Sequence, residues 1–268
     1  MAGDTFPPYN SMQIIVCIKQ VPETHNVRID PTTHALVREG GVINPFDENA
    51  IEAALQLKEQ HGGKVTVISM GPPDADKSLR HALAMGADQA VLLTGEAYRR
   101  SDTLATSCAL AGAIRKLGEF DLVLCGKQAI DGDTAQVPPG LAERLGIPQV
   151  TFAIELEVGN GKLRAKRVLD DRYQTLEVKL PALVSVVKQI NEPRRPGMKG
   201  VLRAKKAPLT IWDAPELEVD LSQLGNEGSP TWVIRTFAPE RQKRGQVLEG
   251  TPGEIAGKVV EIIRGMNL

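Results

Sequence analysis

The chain has 268 residues, 42% of them hydrophobic and 24% charged, the mixture of a globular fold whose core needs no metal or disulfide staple. A formal net charge of −1 argues against nucleic acid or an anionic membrane as partner, so any basic patch must be local. No run approaches the ~18 apolar residues that span a bilayer, so no transmembrane segment is expected.

Residues 1–11 carry neither the apolar stretch of a secretory signal nor the arginines of a transit peptide, and read as an extension ahead of Met12. Gln13-Ile14-Ile15-Val16-Cys17-Ile18 is a β-branched run too short for a typical helix; a continuous apolar run of this kind suits a strand covered on both faces. Asp47 to His61 places Ile51, Ala54 and Leu55 on one face, opens on acidic residues and stops at Gly62-Gly63, which predicts a helix. Lys64 to Ser69, Ala90 to Leu93 and Asp121 to Cys125 repeat the strand pattern. Asp102 can cap a helix that carries Leu104, Cys108 and Ala111 and ends at Gly118. Asp133 stands three before Gln136, a capping-box spacing, ahead of Val137, Leu141 and Leu145.

Strand and helix alternate through short joints, so the expected core is α/β, a Rossmann-like parallel sheet flanked by helices. Ligands of such sheets sit beyond the carboxyl ends of the strands, where strand order reverses. The places to search are therefore Cys17-Ile18-Lys19, Ser69-Met70-Gly71 and Cys125-Gly126-Lys127. After Gly146 the pattern changes to period two: Ile154, Leu156 and Val158 alternate with Glu155 and Glu157, Asn160-Gly161 makes a hairpin turn, and Leu176, Val178 and Leu180 alternate again. This predicts an antiparallel hairpin annex, after which Ala182 to Val187 returns to the main sheet. Glu192 to Lys206 carries six Lys or Arg against one acid, and the chain from there to Gly250 is rich in Pro, Gly and charge. A last amphipathic helix, about Pro252 to Gly265, puts Ile255, Val259 and Ile262 on one stripe; an arm of this composition suits draping over another protein.

No GxxxxGK[ST] loop is present, and Gly159-Asn160-Gly161 lies in the hairpin turn rather than between a strand and a helix. His25, His34, His61 and His81 have no ligand spacing, so no metal site is expected; no nucleophile–base arrangement appears, so no catalytic side chain is named. Cys17, Cys108 and Cys125 form no CxxC pair and are expected as reduced core residues of a cytoplasmic protein. What remains is Gly126-Lys127-Gln128-Ala129-Ile130-Asp131-Gly132-Asp133-Thr134-Ala135-Gln136-Val137, between a buried strand and a helix start. Its backbone N–H groups, the Thr134 hydroxyl and the Gln136 amide either hold a pyrophosphate or merely cap the helix; on spacing the two readings stand level.

That loop resembles the nucleotide loop of electron transfer flavoprotein β subunits. Asn44-Pro45-Phe46-Asp47, Ala82 to Asp88, Leu180-Pro181-Ala182, Gln189 to Arg194 and Ala204-Lys205-Lys206 follow the same family in order, from about Met12 to Lys206. The resemblance implies an adenine-nucleotide-binding α/β fold with a nucleotide pocket lined by Cys17, Asn44, Pro45, Phe46, Asp47, Met70 and the Gly126–Val137 loop. It further implies a loop that recognises an acyl-CoA dehydrogenase-type flavoprotein through Glu192, Pro193, Arg194, Arg195, Met198, Lys199 and Arg203, with Met198 as the apolar peg.

Family members differ in their nucleotide: AMP as a structural ligand, or, in the electron-bifurcating group, FAD that takes hydride from NADH. The loop from Asp131 to Val137, the segment Ser101-Asp102-Thr103-Leu104-Ala105-Thr106 and the arm from Phe237 to Gly250 are similar to the bifurcating group. On that resemblance Asp102, Thr103 and Thr106 would meet the flavin, and ferredoxin or flavodoxin would take the second electron. Pro138-Pro139 departs from the expected Gly-Pro. The rivals are the AMP-type carrier subunit and an ATP-binding stress-type protein of the same fold. The expected organisation is an extension over 1–11, a nucleotide-binding α/β domain over 12–190, the recognition loop over 191–206, and a C-terminal arm and helix over 207–268 that embraces the α subunit of a heterodimer. Any oxidation of NADH belongs to that complex and not to the chain by itself.

Overall fold

The computed structural model describes residues 11–23, 27–29, 36–38, 41–231, 233–234, 245 and 247–265. The expectations for 1–10 and for Phe237 to Arg241 lie outside them. The chain forms two compact units, 1–235 and 236–268. In the first, the elements are β1 (Met12–Ile18), β2 (Gln20–Pro22), β3 (Val27–Ile29), β4 (Leu36–Arg38), β5 (Gly41–Ile43), α1 (Pro45–His61), β6 (Gly63–Met70), α2 (Asp76–Met85), β7 (Gln89–Leu93), α3 (Thr103–Leu117), β8 (Leu122–Gly126), α4 (Val137–Leu145), β9 (Gln149–Gly159), β10 (Lys162–Val168), β11 (Tyr173–Lys179), β12 (Ala182–Val186), α5 (Met198–Lys206) and β13 (Thr210–Trp212).

Nine strands make one sheet in the order β11-β10-β9-β12-β8-β1-β6-β7-β13, and β2–β5 and β3–β4 pair separately as antiparallel ribbons. Pairings from β9 through β13 are parallel; only β9–β10 and β10–β11 are antiparallel. Alternation along β1 divides the core between the two faces. Ile14, Val16 and Ile18 pack with α1 and α2 residues such as Ile51 and Leu79, while Ile15 and Cys17 pack with α3 and α4 residues such as Ile114 and Leu141. From β1 the chain steps to β6 and β7, then returns to β8 on the other side of β1, so the strand order reverses at β1/β8.

The antiparallel hairpin extends the main sheet, with Asn160 (φ 54°) and Gly161 (φ 70°) supplying the two left-handed residues that a tight turn of matching twist demands. Asp102 caps α3, accepting from the Leu104 and Ala105 N–H groups at 2.9 and 3.0 Å. The capping box predicted at Asp133 and Gln136 does not form: α4 opens at Val137 without a side-chain cap. The reason lies in Pro138 and Pro139, which fill the first turn with residues that have no N–H to satisfy.

Two further elements differ from the sequence expectation. The second half of the 191–206 loop is a helix, α5, and the segment read as the start of an arm contributes the edge strand β13 and belongs, to residue 235, with the sheet. α5 lies against α2: Arg203 Nη2 donates to the Leu83 carbonyl (2.9 Å), Arg80 Nη1 to the Ala204 carbonyl (2.8 Å), and a Cβ on Gly200 would collide with the Ala84 carbonyl oxygen. The second unit holds α6 (Pro252–Gly265), where the Glu254 carboxylate accepts from Thr251 N and Oγ1 at 2.8 and 2.9 Å, and where Val259, Val260, Ile262 and Ile263 are exposed.

Gly200→Ala should push α5 off α2 and cost about 1–3 kcal/mol, seen as a lower thermal midpoint with unchanged far-UV helix content. An unshifted midpoint would mean that α5 is not seated on α2 in solution.

Candidate nucleotide-binding cleft

Because β12, β8, β1, β6 and β7 all run the same way, their carboxyl ends open onto one edge of the sheet. A cleft of about 1210 Å³ lies there. Its floor is apolar, from Cys17, Ile18, Met70, Leu110 and Val137, and its rim is polar, the composition of a ligand site.

Asp47 fixes the geometry of the floor. It lies in the first turn of α1, 5% exposed, and its carboxylate accepts from Lys19 N at 2.7 Å and Gly126 N at 3.2 Å, so one side chain joins the ends of β1 and β8. Close approach is possible because residue 126 is glycine: a Cβ there would strike Asp47 Oδ1. Asn44 works beside it, donating to the Gln128 carbonyl (2.9 Å) and accepting from Ile130 N (3.2 Å), which holds the loop after β8 against the start of α1. Lys19 pairs with Asp131 at 2.7 Å, and Gln128 Nε2 donates to Asp133 at 2.7 Å.

Burial pushes the Asp47 carboxyl up to about 7 despite the opposing hydrogen bonds from Asn44, Lys19 and Gly126. Cys17 and Cys125 are register partners on adjacent strands; their mutual hydrogen bond, followed by burial and nearby negative charge, raises the Cys125 thiol well above its ordinary range. Cys125 is thus a thiol at neutral pH. Asp102 is the contrast: burial would raise its carboxyl, but hydrogen bonds from Ala105, Thr231 and Leu104 outweigh it and hold it low.

Of the residues predicted from the sequence, Cys17, Asn44, Asp47, Met70, Asp102, Thr103, Thr106, Gly126, Gln128, Ala129, Asp131, Gly132, Asp133, Thr134, Ala135, Gln136 and Val137 line this one cleft. The loop and the Asp102 segment, distant in sequence, meet where Thr103 Oγ1 donates to Gln136 Oε1 at 3.1 Å. Four predicted residues stand behind it. Pro45 starts α1, the Phe46 ring lies under Lys188, Lys127 bonds to Val186 and lies over Phe152, and Ile130 offers its N–H to Asn44. Nothing in the sequence pointed to Thr94, Gly95, Glu96, Tyr98, Arg99 and Arg100, nor to Thr231 and Val233, which also line the cleft. Thr231 reaches it by donating N and Oγ1 to Asp102 Oδ2 at 3.2 and 2.8 Å.

These residues suit a nucleotide. Asp133 (φ 49°) and Ala135 (φ 54°) are left-handed, and Ala135 is followed by right-handed Gln136, a left/right pair of the kind that lets successive N–H groups form an anion cradle. The prolines at 138 and 139 remove two donors from the first turn of α4, so the N–H groups open to an anion here are those of the loop backbone rather than of the helix start. Gly132 faces open space and is not required by contact.

The residues predicted for partner recognition divide in two. Arg194 turns inward: its backbone N and Nε donate to Glu52 (3.1 and 2.7 Å) and Nη1 to Glu59 (2.5 Å), while Asn49 and Asn191 bond reciprocally beside it. Burial alone would raise the Glu52 carboxyl; the Arg194 hydrogen bonds lower it. Arg203, though exposed, is committed to α2 through the Leu83 carbonyl. Glu192, Arg195, Lys199 and Met198 remain exposed, Met198 by 77%, with Pro193 half-buried. Among the described residues no cluster of His, Cys, Asp or Glu is arranged to hold a metal, and no helix is long and apolar enough to cross a membrane.

Sheet topology and strand-end cleft together define an α/β protein of the nucleotide-binding type. Residues 33–217 match the model of the electron transfer flavoprotein domain. The chain is 50% identical over 260 residues to the electron transfer flavoprotein subunit beta of Thermoanaerobacterium thermosaccharolyticum, covering 96% of this chain and 100% of that one. It is 44% identical over 261 residues to the caffeyl-CoA reductase-Etf complex subunit CarD of Acetobacterium woodii (96% and 100%), and 48% identical over 238 residues to protein FixA of Azorhizobium caulinodans (85% of each). The chain belongs to the electron transfer flavoprotein family, on its β-subunit side.

Two predictions follow from the anchors. Asp47 is protonated in the folded chain and ionised in the unfolded one between pH 3.8 and about 7, so the unfolded state binds fewer protons and stability falls as pH rises through that window. Relative to Asp47→Asn, the wild type should lose up to about 4 kcal/mol across it and level off above, measured by denaturant unfolding at several pH values. Arg194→Ala leaves Glu52 buried and unpaired and should cost on the order of 3 kcal/mol. Hydrogen exchange should then show the 191–197 segment released; unchanged protection there would remove Arg194 as its anchor.

Proposed function

We propose that the cleft binds FAD, that this flavin takes hydride from NADH, and that the chain acts as the β subunit of a cytoplasmic, bifurcating electron transfer flavoprotein, in a heterodimer with an α subunit. The observation that carries the reading is the extent of the cleft. It runs unbroken from the loop backbone to the start of α3, joined by the Thr103–Gln136 hydrogen bond, and its 1210 Å³ exceeds the ~300–1,000 Å³ of a site for one small ligand. A mononucleotide would occupy the loop end only; a dinucleotide accounts for both ends.

Bound FAD would supply hydride acceptance and division of the electron pair, one electron toward the α-subunit FAD and an acyl-CoA dehydrogenase-type flavoprotein, the other toward ferredoxin or flavodoxin. The chain supplies binding and surroundings. The loop from Asp133 to Gln136 takes the pyrophosphate, Cys17, Met70 and Leu110 form an apolar bed, and the Thr103 and Thr106 hydroxyls offer hydrogen bonds to a flat polar ring. Asp102 is spent on the helix cap and on Thr231, so it orients rather than reacts. No side chain is asked to act as general acid or base. Met198, a flexible apolar group amid exposed Arg195 and Lys199, is the docking peg for the dehydrogenase, and the exposed stripe of α6 is the part that grips the α subunit.

Co-expression with the α subunit, denaturation and quantification of released nucleotide tests the proposal: two FAD and no AMP per heterodimer are expected. One FAD and one AMP would leave the chain as a carrier subunit with a structural nucleotide.

A further inference from the structure

The charges around the cleft do not favour an anion. Among the described residues its lining holds five acids, Asp47, Glu96, Asp102, Asp131 and Asp133, against the cations Lys19, Arg99 and Arg100. Two of those cations are already neutralised: Lys19 by Asp131 at 2.7 Å, and Arg99 by Glu96 at 2.9 Å. The guanidinium of Arg100 has no acid partner among the described residues. Its backbone is also left-handed, φ 59°, a conformation that a long side chain adopts only when its surroundings impose it.

The surroundings do impose it. Ser101 Oγ donates to the Tyr98 carbonyl (2.8 Å) and accepts from Gly225 N (3.1 Å); Ser229 Oγ donates to the Gly225 carbonyl (2.6 Å) and accepts from Asp102 N (2.8 Å). Ser101 thus closes the turn across Arg100 onto Tyr98, and Ser101 and Asp102 tie it to the chain at Gly225 and Ser229, so an exposed cation is held on the rim of the cleft at a backbone cost.

We propose that Arg100 is an anion subsite for the pyrophosphate of an incoming nicotinamide dinucleotide, distinct from the loop cradle that serves the resident nucleotide. The proposal rests on the NADH-oxidising reading above. A guanidinium binds phosphate oxygens in pairs through its planar fork, which suits a ligand that must arrive and leave without burial. The resident pyrophosphate has backbone donors on a different segment, so it needs no side-chain cation; an exchangeable ligand entering an acid-lined cleft does.

Arg100→Gly is the informative variant, because glycine removes the guanidinium and also relieves the left-handed backbone. In the heterodimer, calorimetric titration with ADP-ribose, which carries the pyrophosphate but no reacting ring, should show affinity weakened about tenfold in Arg100→Gly and partly restored in Arg100→Lys. FAD per heterodimer and the thermal midpoint should not fall, and the KM for NADH should rise with little change in kcat. Equal ADP-ribose affinity in wild type and Arg100→Gly would make Arg100 a solvated cation, and loss of FAD from the variant would assign it to the resident nucleotide; either overturns the subsite. If the wild type neither binds ADP-ribose nor oxidises NADH, the hydride-donor reading fails with it, and that is seen before any variant is made.

Discussion

The carboxylate of Asp47 sits where three chain segments meet with nothing covalent between them: the end of β1, the end of β8 and the first turn of α1. Parallel strands end in N–H groups that have no further strand to bond, and a ligand site is built by satisfying some of them internally and leaving others for the ligand. Asp47 takes the Lys19 and Gly126 N–H groups, which fixes the spacing of the two strand ends and the point from which the loop departs. Everything the loop does afterwards, from the Asn44 bonds to the left-handed residues at 133 and 135, starts from that fixed point. The cost is a buried carboxyl whose proton is hard to remove, the ordinary consequence of placing an acceptor where water cannot reach.

α1 extends this order in the other direction. Asn44 and Asp47, at its start, serve the cleft; Asn49, Glu52 and Glu59, further along, hold Asn191 and Arg194. A single helix therefore carries the anchors of both the loop after β8 and the basic segment, so the exposed Met198 is presented from a frame that the cleft shares. α5 adds the second attachment, through Gly200, Arg203 and Arg80 to α2. A basic stretch need not be a free loop: its charges are split between those that hold it and those left outside.

That split marks where the sequence stops being informative. Strand ends at Cys17, Met70 and Cys125 were readable because a buried strand leaves a run of apolar residues, and the Asp102 cap because an N-cap is local. Arg194 and Arg203 looked like outward charge, since their partners lie 142 and 120 residues away and no spacing rule reaches that far. α5 was missed because its packed face is only Val201, Ala204 and a glycine, a short stripe inside a run of basic residues that reads as a charged loop. β13 has three residues and no pattern of its own; it exists because β7 offers an open edge. The Asp133–Gln136 capping box was a spacing match that two prolines made unnecessary. The return of Thr231 to Asp102 belongs to the same class as Arg194, a long-range bond between residues that each look ordinary in place.

The cleft's acid excess then becomes intelligible. Its carboxylates are not there to meet the ligand: Asp47 joins strand ends, Asp102 caps α3 and ties Thr231, Asp131 pairs with Lys19, and Asp133 takes Gln128. Each fixes backbone, and fixed backbone supplies the N–H groups that an anion needs. A phosphate entering such a site would be held by geometry more than by net charge, since donors already held in place need no reorganisation when a ligand enters. It also leaves charge-based recognition free for a second purpose. Where the acidic side chains are already committed to backbone, amide and ion-pair partners, a guanidinium on the rim with no acid partner among the described residues stands out to an approaching anion far more than it would in a uniformly basic cleft.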